Sequence, residues 1–256
     1  MSANAAKILL VEDNKLGREM ISSFLEELGF SCVATANGIE ALDMLPGNNF
    51  DLILMDIEMP LLNGYQTTEI IRSKGLKMPI IALTAHDSDE IRKKCIVCGM
   101  TSSIAKPFQK EELHSLLIEQ LQCDTEKKIG VENNISNAGE VINLAFLTKI
   151  SRGRKDFFMS MIDIFIEQNK TDLQTLSIAV ETSDFDTIRL LAHKIRTSIS
   201  FIGLEKRILD QLQEMEMLGE KGKDIERIIH LYSEIFSVCV KAEEELELVK
   251  EQGELK

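Results

Sequence analysis

The sequence predicts two folds in tandem, an α/β doubly wound unit followed by an all-α unit. Three observations predict this. Through Leu121, short apolar stretches alternate with amphipathic segments. Beyond Val141 only helical periodicity is left, and the residues between, 122–140 (QCDTEKKIGVENNISNAGE), are polar and aperiodic, as a linker is. The chain of 256 residues is long enough for two cores of ordinary size.

Taken in order, strands are expected at 7–11, 31–35, 52–55, 79–83 and 103–105. Helices are expected at 15–28, 38–45, 64–73, 89–98 and 109–121. Gly29, Gly75 and Gly99 fall where these helices should stop, as C-terminal glycines do. Stretches such as LILM are continuously apolar, which suits strands covered on both faces. Five βα units imply a flavodoxin-like, five-stranded parallel sheet. In the second half, helices are expected at 142–150, 155–180, 185–202, 204–218 and 224–249, punctuated by Gly153, Gly203 and the GEKG run. Four long amphipathic helices with short turns make an antiparallel four-helix bundle, with the first short helix as a lid or extension. The expected domains are 1–121 and 141–256, joined by a linker at 122–140.

Charge and composition narrow the function classes. The 29 basic and 42 acidic residues give a net charge of −13. Both halves are acidic, with 11 basic and 17 acidic residues through Leu121 and 18 and 25 after it. Nucleic-acid binding needs a basic face, and none is visible. No apolar run approaches the ~20 residues that span a bilayer, so no direct membrane contact is expected and the setting is read as cytoplasmic. The five cysteines are odd in number and scattered. Cys95 and Cys98 form a CxxC within a helical stretch; without a second pair it is a poor zinc site, and a redox pair is the other reading.

Four strand ends carry chemistry. KILLV runs into Glu12 and Asp13, LILM into Asp56, PIIAL into Thr84, and SIA into Lys106. Parallel strands place all five side chains at one sheet edge, where open α/β sheets bind ligands. Ionised carboxylates so close together repel one another, and a hard dication resolves this. Mg2+ suits a site with few protein ligands plus waters and substrate oxygens. Asp56 then serves as nucleophile toward phosphorus, forming an aspartyl phosphate. Lys106 pairs with the transferred group and Thr84 donates a hydrogen bond to it.

In the second half, the helix around His193 has a single apolar stripe of Ile188, Leu191, Ala192, Ile195, Ile199 and Ile202. His193 lies off that stripe and is expected to face water, beside Arg189, Arg196, Thr197 and Ser200. Two arginines disfavour the protonated ring, keeping it nucleophilic, and attract an acyl phosphate. His230 also lies off its stripe, but Glu226, Arg227 and Glu234 surround it. His114 has Glu111 and Glu112 as neighbours. Both are poorer landing places for phosphate.

The motifs ILLVEDN, LILMDIEMPLLNGYQTTEIIR, PIIALTA and AKPF make residues 5–121 resemble the receiver domain of two-component response regulators and hybrid kinases. The resemblance implies that Asp56 is the phosphoacceptor, that Asp13, Asp56 and the backbone carbonyl of Glu58 bind Mg2+, and that Glu12 acts through water. It implies that Thr84 and Lys106 contact the phosphoryl group, and that Glu58 and His86 occupy positions that tune dephosphorylation. His86 also reads as an ordinary loop residue. Ser103 stands where receivers usually carry Tyr or Phe, so the aromatic readout of phosphorylation is missing.

Residues 141–203, through INLAFLTKISRGRKDFFMSMIDIFIEQ and SDFDTIRLLAHKIRTSISFIGL, resemble a histidine phosphotransfer (HPt) domain. His193 falls on the phosphorylated histidine. Arg196 stands where that family usually has Lys, Ser198 follows the pattern, and Thr197 replaces the usual Gly. The two resemblances together imply a phosphorelay protein of a two-component system. A sensor histidine kinase or phosphodonor receiver would lie upstream, and a response-regulator receiver downstream. Neither half has a nucleotide pocket or the asparagine and glycine boxes of a histidine kinase, so a phosphoacceptor rather than a stand-alone catalyst is expected. Two other readings stay open: a phosphorylated receiver with an inert bundle, for which Thr197 speaks, and the tail of a hybrid kinase.

Overall fold

Strands β3 (Leu52–Asp56) and β4 (Ile80–Thr84) bury every one of their residues, which only a sheet covered on both faces allows. The computed structural model describes residues 5–85, 88–121, 141–151 and 153–252. With β1 (Lys7–Val11), β2 (Ser31–Thr35) and β5 (Ser102–Ala105) these strands form one parallel sheet in the order β2-β1-β3-β4-β5. The sequence order reverses at β1, which lies between β2 and β3. In such sheets the ligand crevice opens there, beyond the carboxyl ends of the strands. The expected flavodoxin-like sheet is present. β3 and β4 each run one residue past the expected end, so Asp56 and Thr84 belong to the ladder, paired with Leu83 and Ala105. Their backbones are therefore as fixed as the core.

The intervening helices are α1 (Lys15–Glu27), α2 (Gly38–Met44), α3 (Gly64–Ser73), α4 (Asp89–Cys98) and α5 (Lys110–Leu121). Four of them start at an Asn or Ser whose side chain accepts from the first turn: Asn14, Asn37, Asn63 and Ser88. Asn63 and Gln66 complete a capping box on α3. Gly99 closes α4 at φ 100°, in the left-handed region that favours glycine.

The chain divides into two compact units, Met1–Glu132 and Asn133–Lys256. The second is helical throughout its described elements: α6 (Ala145–Ser151), α7 (Lys155–Glu181), α8 (Phe185–Ile199), α9 (Glu205–Lys221) and α10 (Ile225–Gln252). α7 and α9 each pack against both α8 and α10, while α6 lies on α7. Phe165, Leu176, Ile195, Leu212 and Leu231 are among its fully enclosed side chains. α8 stops three residues before the periodicity predicts. Gly203, at φ 72°, turns the chain there, and a Cβ on it would lie 2.6 Å from the Asn143 carbonyl oxygen. Asn143 N–H in turn donates to the Ile202 carbonyl at 2.8 Å. The linker expected at 122–140 lies outside the described residues. Among those described, no helix is long and apolar enough to cross a membrane.

Candidate functional site

The turn after β1 presents two carboxylates side by side, and Arg18 holds the turn in shape. Its Nη1 donates to the carbonyls of both Glu12 and Asp13, at 2.7 and 2.8 Å. Asn14 caps α1 immediately afterwards, accepting from Gly17 N–H. Gly17 faces the Glu12 carboxyl, and a Cβ there would sit 3.2 Å from it. At the end of β3, Asp56 is 2% exposed. Gly64 opens α3 directly against the Asp56 peptide. A Cβ at that position would fall 2.2 Å from the Asp56 carbonyl oxygen, so no larger residue fits without moving the strand end.

Lys106, at the end of β5, reaches across to this pair. Its Nζ donates to Asp56 Oδ2 at 2.8 Å and to Glu12 Oε2 at 3.1 Å. Its own backbone is fixed by an N–H bond to the Thr84 carbonyl, and the Lys106–Pro107 peptide is cis. Donor atoms of Glu12, Asp13 and Asp56 all lie within 4.8 Å of one another. Glu12 is fully buried and its Oε1 has no hydrogen-bond partner. Burial, with the Asp56 charge beside it, pushes the Glu12 carboxyl up to about 8 against the pull of Lys106. Burial disfavours the Lys106 cation, but Asp56 and Glu12 outweigh that and hold it above the usual ammonium range. A buried, unpartnered carboxylate oxygen in an acid-rich cleft is the donor set a hard cation satisfies. The site residues expected at the strand ends are thus brought together, with Thr84 buried at the end of β4.

Glu58 follows two residues after Asp56, its N–H donating to Asp56 Oδ1 at 3.4 Å. Ser103 is half-buried in β5, level with Ala82. His86 lies outside the described residues. Cys95 and Cys98 are free and buried in α4, with the Cys98 thiol donating to the Cys95 carbonyl. Burial pushes both thiols up, so neither is an activated nucleophile.

In the helical unit one expectation is corrected. His193 is 4% exposed rather than facing water, and Arg196, Thr197 and Ser198 are buried with it. The apolar stripe is real, with Ile188, Ala192, Ile195 and Ile199 all enclosed. The wheel counts apolar residues only, and the off-stripe face is taken up by polar partners. His193 Nδ1 lies 3.1 Å from Glu216 Oε1 on α9 and 3.0 Å from Arg196 Nη2. Arg196 also pairs with Glu216 at 3.1 Å. Thr197 turns its hydroxyl back to the His193 carbonyl, and Ser198 accepts from Gln168 of α7 at 3.2 Å. Arg189 is half-buried, and a Cβ on Gly219 of α9 would lie 3.0 Å from its backbone nitrogen.

Arg18, Gly64 and Glu216 are the residues that sequence reasoning missed. Arg18 and Gly64 act through backbone contacts that carry no side-chain motif. Glu216 meets His193 only through the register of two helices.

Residues 8–118 match the model of the response regulator receiver domain. The sensor histidine kinase GacS of Pseudomonas protegens is 25% identical over 239 residues, covering 87% of this chain and 25% of its own length. The sensor histidine kinase RcsC of Escherichia coli is 37% identical over 110 residues, 43% of this chain and 12% of its own. The chain therefore spans a quarter or less of these two relatives. Among solved structures, the receiver domain of sensor histidine kinase PA1611 from Pseudomonas aeruginosa shares 38% identity, covering 46% of this chain and 98% of that one, with a TM-score of 0.44. That protein is described with a magnesium ion coordinated in its active site cleft.

Proposed function

Given that residues 8–118 are a response regulator receiver domain, we propose that the chain is a phosphorelay intermediate. Asp56 accepts a phosphoryl group, and His193 carries one for exchange with a receiver aspartate. The observation that carries the first half is Asp56 held at 2.8 Å by Lys106 beside Glu12 and Asp13. An Asp56 carboxylate oxygen forms the new bond to phosphorus while the bond to the leaving group breaks with its electron pair. Lys106, released toward the incoming group, balances its charge, and Thr84 donates to it. Glu12, Asp13, Asp56 and the Glu58 carbonyl would hold Mg2+, which when bound offsets the charge of carboxylates and phosphoryl oxygens together. The chain is then a phosphoacceptor rather than a turnover enzyme, fed by a sensor histidine kinase or another receiver.

Support for the second half comes from His193 within reach of Arg196 and Glu216. It comes also from the likeness to GacS, which runs over 87% of the chain and so past the receiver. A second reading, an inert helical unit, is favoured by the bulk of Thr197 and the low exposure of the imidazole.

Label mapping separates these. The 256-residue chain and its Asp56→Asn and His193→Gln variants are incubated with a radiolabelled phosphoreceiver. Base-stable, acid-labile label on wild type that disappears in His193→Gln is expected. Its persistence in His193→Gln, or its absence from wild type, would falsify the relay reading and leave the receiver alone as the functional part.

A further inference from the structure

One stripe of α10 is fully enclosed in the bundle: Ile228, Leu231, Ile235, Cys239, Ala242 and Leu246. The opposite face carries a second stripe, in which Ile229 is 51% exposed, Phe236 44% and Leu248 53%. With Val240, Glu244, Glu247 and Glu251 these recur at helical spacing and share that face over about 33 Å of helix. Its two parts differ in character. The N-terminal part is apolar, with the rings of Tyr232 and Phe236 5.8 Å apart. The C-terminal part is a groove of about 420 Å3 beside α7, lined by Val240 and Leu248 with Glu243, Glu244, Glu247 and Glu251. Lys170 of α7 sets one positive charge against these four carboxylates. Asn169 of α7 donates to Glu243 at 2.7 Å, and Lys250 pairs with Asp163 of α7 at 2.8 Å and with Glu247 at 3.0 Å. The walls of the groove are therefore tied together before anything enters it.

We propose that this face of α10 docks a basic amphipathic helix of a partner protein. The incoming helix lays apolar side chains over Ile229 and Phe236 and reaches Lys or Arg side chains into the glutamate groove. A continuous apolar stripe left exposed on a helix marks an interaction surface. Charge complementarity then selects the occupant, since the acids want cations that the apolar part cannot supply. The same acids decide against two alternatives. Two copies paired antiparallel along α10 would lay the acidic part of each on the apolar part of the other. Paired parallel, they would set acid against acid. An anionic membrane surface is repelled by the four carboxylates. Within the bundle α10 lies diagonally across from α8, because each of them packs against both α7 and α9. A helix bound on the outer face of α10 therefore does not cover α8. The inference stands whether or not His193 carries phosphate.

The test titrates the 256-residue chain into a fluorescent helical peptide about 20 residues long, matched to the stripe. The peptide bears leucines at helical spacing in one half and lysines at the same spacing in the other. Fluorescence anisotropy should show it binding more tightly than a peptide of the same composition in shuffled order. Phe236→Ala is expected to weaken binding roughly tenfold, as truncating a central aromatic contact does. Leu248→Ala should act likewise, and it serves if Phe236→Ala unfolds the chain. Glu244→Lys with Glu251→Lys should abolish binding. Glu69→Lys with Glu119→Lys makes the same charge change at exposed glutamates of α3 and α5, and should leave the affinity as it was. Equal binding of the two peptides, or equal loss in the two double variants, would reduce the effect to general attraction and overturn the inference. Self-association in sedimentation that Phe236→Ala removes would give the face to a second copy. Binding to phosphatidylserine vesicles that the same variant removes would give it to a membrane. Either result overturns the proposal.

Discussion

At the scale of single residues, the receiver site is a balance of like charges around one ammonium. Lys106 offsets Asp56 and Glu12, but the buried Glu12 Oε1 still has no hydrogen-bond partner. Position here is set by backbone contacts. Arg18→Ala frees the turn that carries Glu12 and Asp13. It should weaken Mg2+ binding roughly tenfold, a loss typical of removing a ligand's supporting contact, read by titrating the chain with the metal. Gly64→Ala inserts a methyl against the Asp56 carbonyl. It should destabilise the receiver by about 3 kcal/mol, the upper end of overpacking costs, seen as a lower urea midpoint for the receiver transition. A midpoint within error of wild type would show that the strand end yields. The acidic residues, Thr84 and Lys106 were legible in the sequence because they recur in phase at four strand ends. Arg18 and Gly64 were not, since an arginine on carbonyls and a glycine against a peptide look like any other Arg and Gly until the loop is folded.

At the scale of elements, periodicity located every described strand and helix, with errors confined to ends. β3 and β4 are longer than their apolar runs because a ladder hydrogen bond does not care that Asp56 and Thr84 are polar. α8 is shorter than its apolar stripe because Gly203 and Asn143 impose a turn that the stripe does not encode. Buried polar pairs between helices were likewise invisible. Asp172 of α7 is buried and paired with Lys194 of α8 at 2.9 Å. Burial raises its carboxyl above the ordinary value, with Lys194 and Gln168 pulling the other way. The folded chain therefore keeps this proton over a range in which the unfolded chain has lost it. Stability from this group is fully present below the unfolded value and is lost as pH rises through the folded one. Asp172→Asn should flatten that slope. Hydrogen exchange of α7 and α8 amides at about pH 4 and about pH 7, corrected for intrinsic rates, compares the two proteins over the carboxylate range. An unaltered slope would mean that Asp172 is ionised throughout.

At the scale of the whole molecule, the proposed relay has two phosphoryl carriers. Asp56→Asn should abolish labelling of the receiver by small-molecule donors, and His193→Gln should leave that labelling intact while blocking onward transfer. Base-stable, acid-labile label in His193→Gln would break this division. The tandem order of an α/β unit and a helical unit was legible from the change of period near Val141. The polar partners of His193 were not, because a helical wheel knows nothing of the neighbouring helix that brings Glu216.

Everything turns on a covalent acyl phosphate at Asp56. Intact mass of the full chain after treatment with acetyl phosphate and Mg2+ is the most direct measurement. The account predicts the added mass of one phosphoryl group on wild type and none on Asp56→Asn; an unmodified wild type, or the same gain in Asp56→Asn, would contradict it.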